Sequence, residues 1–319
     1  MPTALDPDAA TGCLLALALG DALGAPFEGR AQVDPSEVDR LAAGDGELRW
    51  TDDTHMALTL AEALVADGPT IDPQQLGDRF ASAYRREPWR GYGSGPPQVF
   101  ALAARGWSYP EAAASLFSGS GSFGNGGAMR CAPAAIAGFP DALTIGELAA
   151  DQAGVTHSHP EGRDGAVLLA TVVGLALATP ADEPLQLQAL ELDEIDLRSR
   201  ALRTAWHRLQ HNAGQDGPAA PPDLAALAER FGTSVAARAS VPAAVAVALS
   251  GGEDVLAAIR AAVSLGGDTD TVAAMAATIT GAHLGVSAIP AHLLARLEAR
   301  QRIARSALAL VEMVHARQR

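Results

Sequence analysis

Apolar residues recur along most of the chain three or four positions apart, while strict alternation of apolar and polar positions is scarce. That spacing predicts helices. Thr11–Leu23 is apolar nearly all round, as expected of a central helix buried on several sides. Asp52–Ala66 carries Met56, Leu60, Ala63 and Leu64 and stops at Gly68-Pro69. Further helices are predicted over Pro73–Arg86, Pro97–Arg105, Pro110–Phe117, Met129–Ala137, Thr144–Val155 and Arg163–Ala178. Asp193–Asn212, Asp223–Phe231, Val241–Leu249, Asp254–Ser264, Thr271–Leu284 and Pro290–Val314 follow, the last open to a break. Pro or Ser/Thr/Asp near the starts and Gly near the ends match the asymmetry of helix termini. Ala213–Pro222, with three Pro and two Gly, reads as a surface loop. No fixed repeat is visible, which argues against a solenoid. The pattern predicts one all-α domain over 1–319.

Composition narrows the classes. Of 319 residues, 48% are hydrophobic and 4% aromatic, so the chain can bury a large core and has few strong strand formers. The 23 Lys and Arg against 37 Asp and Glu leave a formal charge of −14, which disfavours general binding to nucleic acid or an anionic membrane. Cys13 and Cys131 are too few for a disulfide framework and read as buried packing residues. The start lacks a basic leader, and stretches such as Ala166–Ala178 are too short to span a bilayer. A soluble cytoplasmic protein, acting as a monomer, is expected.

Four segments depart from simple helix packing: Gly20–Glu28, Trp50–Met56, Gly119–Arg130 and Ser264–Thr271. Thr51-Asp52-Asp53-Thr54 and Asp268-Thr269-Asp270-Thr271 each place two carboxylates and hydroxyls where a loop enters a helix. The plain reading is helix capping, with Thr51 or Asp52 as N-cap. One cap needs one oxygen, however, and each cluster supplies several. If the clusters converge, four like charges demand cations, and hard oxygen ligands suit Mg²⁺, Mn²⁺ or Ca²⁺. Two such ions about 3.5–4 Å apart could orient substrate oxygens and activate water.

Five glycines between Gly119 and Gly127 could let backbone N–H groups approach an anion, with a helix N-terminus from Met129 onward. A flexible surface loop or a tight turn at Asn125-Gly126 are the alternatives. Thr156–Glu161 holds His157 and His159, whose spacing alone makes a poor transition-metal site; a histidine against a ligand or simple helix-terminal polarity fits better. His55 lies beside the acids, with an outward-facing position as the plain reading.

With these residues in view, the chain resembles the ADP-ribosylglycohydrolase family. The matching features run in family order: Gly20-Asp21-Ala22-Leu23-Gly24 with Glu28, Thr51-Asp52-Asp53-Thr54, Gly121-Ser122-Phe123-Gly124-Asn125-Gly126, Thr156-His157 and Gly266–Thr271. The resemblance implies a compact orthogonal multi-helix bundle with a binuclear metal cleft holding two Mg²⁺, or Mn²⁺. It assigns Thr51, Asp52, Asp53, Asp268, Asp270 and Thr271 to the metals. Gly121, Ser122, Phe123, Gly124, Asn125, Gly126 and His157 go to substrate binding, and Glu28, Asp53 and Asp270 to catalysis.

The implied activity is metal-dependent hydrolysis of the glycosidic bond between ADP-ribose and a protein side chain, polymer or small molecule. Such cleavage develops oxocarbenium character at the anomeric carbon, which neighbouring carboxylates stabilise. His55 and Phe123 stand where many relatives have Gln and Tyr. The stretch Trp89–Pro96 shows no acid to pair with an arginine acceptor. Two other readings compete: another binuclear hydrolase of phosphate esters, and a non-catalytic ADP-ribose binder on the same fold.

Overall fold

The computed structural model describes residues 4–190, 197–212, 223–250 and 254–319. Its α-helices are α1 (Pro7–Gly24), α2 (Pro35–Ala43), α3 (Asp52–Asp67), α4 (Pro73–Arg86), α5 (Gly95–Ala103), α6 (Tyr109–Gly119), α7 (Gly126–Met129), α8 (Ala132–Gly138) and α9 (Ala142–Gly154). They continue as α10 (Pro160–Ala178), α11 (Arg200–Asn212), α12 (Leu224–Phe231), α13 (Ala237–Leu249), α14 (Val255–Ser264), α15 (Thr269–Leu284), α16 (Ala291–Arg296) and α17 (Arg300–Gln318). Among the described residues β-pairing is limited to single bridges at Leu48–Leu297 and Gly124–Ala236. The fold is all-α.

Helices α1, α10 and α15 are apolar all round because they are enclosed all round; nearly every residue of each is buried. Helices α1 and α15 lie antiparallel at backbone contact. A Cβ on Gly12, Gly20 or Gly24 would stand 2.4–2.5 Å from Gly281, Ala273 or Asp270 backbone. Overpacking of that kind costs roughly 1–3 kcal/mol per added methyl group. The seam does more than fill the core: it brings the C-terminal end of α1, with Asp21, beside the first turn of α15. The segment Pro7–Phe27 is long and apolar enough to cross a membrane by length and composition, contrary to the expectation that no stretch is. Here it is a core element.

Short polar residues start most helices. Asp6, Asp34, Asp72, Asp141, Asp223 and Asp254 each accept a backbone N–H in the first turn of their helix, and Ser108 with Glu111 forms a capping box. Helix α2 was not expected, although Asp34-Pro35-Ser36-Glu37 carries a start signal; with only Val38 and Ala42 buried, its apolar face is too short to show as a period. The helix expected from Met129 instead starts at Gly126, stops at Arg130 and restarts at Ala132. Pro290–Val314 is broken at Leu297–Ala299, where Ala299 adopts φ 53°. Asp193–Asp196 and the loop Ala213–Pro222 lie outside the described residues.

Candidate active site

Asp21 is the lone acid within the apolar part of α1 and is completely buried. Its carboxylate accepts from the Thr51 backbone N–H (2.9 Å) and Oγ1 (2.8 Å), and from the Thr54 backbone N–H (3.0 Å) and Oγ1 (2.6 Å). These four bonds fix the first turn of α3 and leave Asp52 and Asp53 facing the end of α15. Asp53 is 2% exposed, and its Oδ2 is buried with no hydrogen-bond partner.

Asp268 and Asp270 stand opposite. One carboxylate oxygen from each and one from Glu28 lie within 4.8 Å of one another. Asn125 donates from Nδ2 to Asp268 Oδ2 (2.6 Å) and to Ser240 Oγ (3.0 Å), and the Thr271 N–H donates to Asp270 Oδ1 (2.9 Å). Glu28 rides on a loop stitched to the Gly266-Gly267 turn, with Gly29 N–H donating to Gly267 O (2.8 Å) and Gly267 N–H to Arg30 O (2.7 Å). Both turn glycines have φ near +75° and abut backbone, Gly266 against Ala31 and Gly267 against Thr233, so no side chain fits there.

The two acidic corners meet. Burial and mutual repulsion raise every carboxyl in the cluster: Asp21 is pushed up to about 6 and Asp270 to about 7, mainly by burial. Asp52 and Asp53 are raised by burial and then by Asp21 and Asp270, and Glu28 by the Asp270 charge before its own partial burial.

Capping does not account for this arrangement. Thr51 and Asp268 occupy the N-cap positions of α3 and α15, yet neither side chain makes a cap hydrogen bond. The clustered carboxylates and the orphaned Asp53 oxygen fit divalent cations with hard-ligand preferences, because unpaired buried acids are otherwise costly.

The glycine loop borders the acids through Asn125. Ser122 turns its Oγ inward to accept from the Gly124 N–H (3.2 Å), and Phe123 O and Asn125 N–H bond to Ala237 N–H and Val235 O. The loop is therefore pinned rather than free. Gly124 and Gly126 lie against the His157 ring, and a Cβ on Gly126 would stand 2.8 Å from it; a Cβ on Gly121 would collide with Ser158. Phe123 and Phe117 remain exposed with ring centroids 6.4 Å apart.

His157 is buried and hydrogen-bonded at Nδ1 to Thr156 Oγ1 (2.8 Å), which also accepts from Arg130 Nη2 (2.9 Å). Burial and the Arg130 charge push its pKa down to about 3, so it stays neutral. His159 instead caps α10, accepting from the Glu161 N–H, which removes the paired-histidine metal reading.

Several residues had no site role assigned from the sequence alone. Asp21 carried a signal, an isolated acid in an apolar helix. Arg130 is fully buried and donates to Gln152 Oε1, Gln152 O and Thr156 Oγ1 (2.8–2.9 Å) while stacking over Phe80 at 4.7 Å. His55 turns inward, contrary to its plain reading, and bonds Tyr92 Oη through Nδ1 (3.0 Å). Arg90, from the stretch Trp89–Pro96, stacks on Trp50 at 3.7 Å and pairs with Glu87 and Glu298 (both 2.7 Å), bracing the approach to Thr51.

A family model described as ADP-ribosylglycohydrolase matches residues 1–319. The chain belongs to the ADP-ribosylglycohydrolase family. The activity class of that family is hydrolysis of an ADP-ribose glycosidic linkage, as the motif order led us to expect. Relatives include the ADP-ribosylhydrolase ARH3 of Danio rerio, 34% identical over 316 residues that cover 88% of this chain and 83% of that protein. ARH3 of Bos taurus is 38% identical over 52% of this chain and 49% of its own length. The ADP-ribosyl-[dinitrogen reductase] glycohydrolase of Rhodospirillum rubrum is 37% identical over 48% of this chain and 52% of its own. A solved structure titled ADP-ribosylglycohydrolase-related protein complex superposes with a TM-score of 0.68 at 30% identity, covering 97% of this chain and 98% of that one.

Proposed function

We propose that residues 1–319 form one catalytic unit that removes ADP-ribose from a modified protein or small molecule, with two Mg²⁺ (or Mn²⁺) held by Thr51, Asp52, Asp53, Asp268, Asp270 and Thr271. The observation that carries this reading is the meeting of the two acidic corners around the unpartnered Asp53 Oδ2. When bound, the cations offset the clustered charge and supply Lewis acidity toward ribose hydroxyls and water.

The chain's own groups do the rest. Asp53 and Asp270 orient the water that adds to the anomeric carbon as the bond to the acceptor breaks. Glu28, on the exposed loop, lies within reach of the departing group and its proton. Oxocarbenium charge developing at carbon is stabilised by carboxylates on both sides. The glycine loop Gly121–Gly126 offers backbone donors to the diphosphate and neutral His157 bounds it, while Phe117 and Phe123 present faces for the adenine. Two free buried cysteines fit a reducing, cytoplasmic setting, and the reading needs only a monomer.

The test is release of ADP-ribose from an ADP-ribosylated protein with Mg²⁺ or with chelator. Wild-type protein should release it only with metal, and Asp270→Asn should lower the rate by about three orders of magnitude with the fold retained. Release that is independent of metal, or full activity in Asp270→Asn, contradicts the assignment.

A further inference from the structure

Beyond the glycine loop arginines gather on one wall. In a chain of net charge −14, a groove of about 720 Å³ between α11, α12 and α13 is walled by Arg198, Arg200, Arg208, Arg230 and Arg238 around Phe231. Among the described residues that line it the acid is Glu161, which pairs with Arg238 at 2.7 Å. A second hollow of about 520 Å³ shares Arg208 and Arg230 and adds His207 and His211. Arg200, Thr204 and Arg208 are four residues apart, so they stack on one exposed face of α11.

The groove joins the candidate active site at an identifiable point. Asp268 bonds Asn125, and two residues back Phe123 lies 6.0 Å from the His159 ring and 5.8 Å from the Arg238 guanidinium, both of which line the groove. The order along the surface is therefore acids, glycine loop, exposed aromatic, arginines. A nucleotide with its ribose at the acids and its diphosphate on the loop would bring its adenosine end to Phe123, at the entrance of the groove.

We propose that this arginine groove is a second phosphate site, taking a phosphate group carried on the adenosine side of the bound nucleotide. The proposal rests on the reading of the acidic cleft given above. Guanidinium forks match phosphate oxygens, and Arg200, Arg208 and Arg230 together in a concave wall focus the field. The phosphate can be a 2′-monoester on the adenosine ribose or the diphosphate of a further nucleotide joined there; the chemistry at the arginines is the same.

The experiment measures affinity of the Mg²⁺-loaded full chain for ADP-ribose, for ADP-ribose 2′-phosphate and for a two-unit ADP-ribose chain. The 2′-phosphate form should bind roughly tenfold tighter than ADP-ribose at low salt, with the advantage fading at high salt. In Arg208→Gln/Arg230→Gln, and separately in Arg200→Gln, that advantage should shrink to about twofold or less while ADP-ribose affinity is unchanged, and Arg→Lys replacements should restore most of it. A gain with the two-unit chain alone assigns the groove to a following nucleotide rather than a monoester. Equal affinity for all three ligands, an advantage that survives the double variant, or equally tight binding of a single-stranded oligonucleotide overturns the proposal. Failure of every nucleotide to bind, ADP-ribose included, sinks the cleft reading and the groove with it.

Discussion

Two buried charged clusters lie side by side in this protein, and their bonding differs. Around Arg130 the guanidinium donors meet Gln152 and Thr156 oxygens and the Met56 sulfur, with Phe80 beneath. Around Asp53 a buried oxygen has no partner and further carboxylates crowd it. Both clusters are expensive to bury. The first recovers that cost within the chain and so belongs to the scaffold; the second does not, so its missing partner comes from outside. A carboxylate oxygen left unsatisfied among further buried acids fits a bound cation.

That contrast predicts opposite responses to neutralisation. Arg130→Met should be the largest effect on stability: it strips the Arg130 donors from Gln152 Oε1 and Gln152 O, and from Thr156 Oγ1, which keeps His157, at roughly 1 kcal/mol or more each for the two Gln152 oxygens, lowering the melting temperature by several degrees with or without metal. An unchanged melting temperature would mean the cluster is not structural. Asp53→Asn should do the reverse in chelator, raising stability on the order of 1 kcal/mol by removing one of several like charges, while Mg²⁺ no longer stabilises the variant.

pH sharpens the same difference. Asp21 and Asp270, raised to about 6 and about 7 from 3.8, bind protons in the folded state that the unfolded chain has already released. The metal-free protein therefore loses stability as pH rises from about 4 to above 7. Metal displaces those protons, so the gap in melting temperature between Mg²⁺-loaded and chelated protein should widen from about pH 5 to about pH 8; a constant gap contradicts the coupling. Tyr92→Phe, which removes only the bond to His55, should have the smallest effect, about 0.5 kcal/mol in either condition.

Much of this was legible in the chain. Periodicity bounded by Asp72-Pro73 and Arg86 gives α4 to the residue, because its caps and amphipathic face are local. Thr51-Asp52-Asp53-Thr54 and Asp268–Thr271 were recognisable as more than caps because they carry more oxygens than a cap uses. What stayed hidden depends on distant partners. Asp21 acts on residues 30 and 33 positions away, and Arg130 on residues 22 to 26 away. The inward turn of His55 depends on Tyr92, 37 positions on. The kink that exposes Phe117, with φ 51° and 59° at Phe117 and Ser118, has no local breaker before Gly119 to announce it. The arginines of the groove are scattered over three helices and their flanks, and within a net acidic chain no single run reveals them.

The most direct measurement of the central claim is anomalous diffraction from crystals grown with Mn²⁺. The account predicts two peaks about 3.5–4 Å apart, between Asp52 and Asp53 on one side and Asp268 and Asp270 on the other, with Asp53 Oδ2 at coordination distance. Manganese found only at surface carboxylates, with Asp53 still unpartnered, would contradict it.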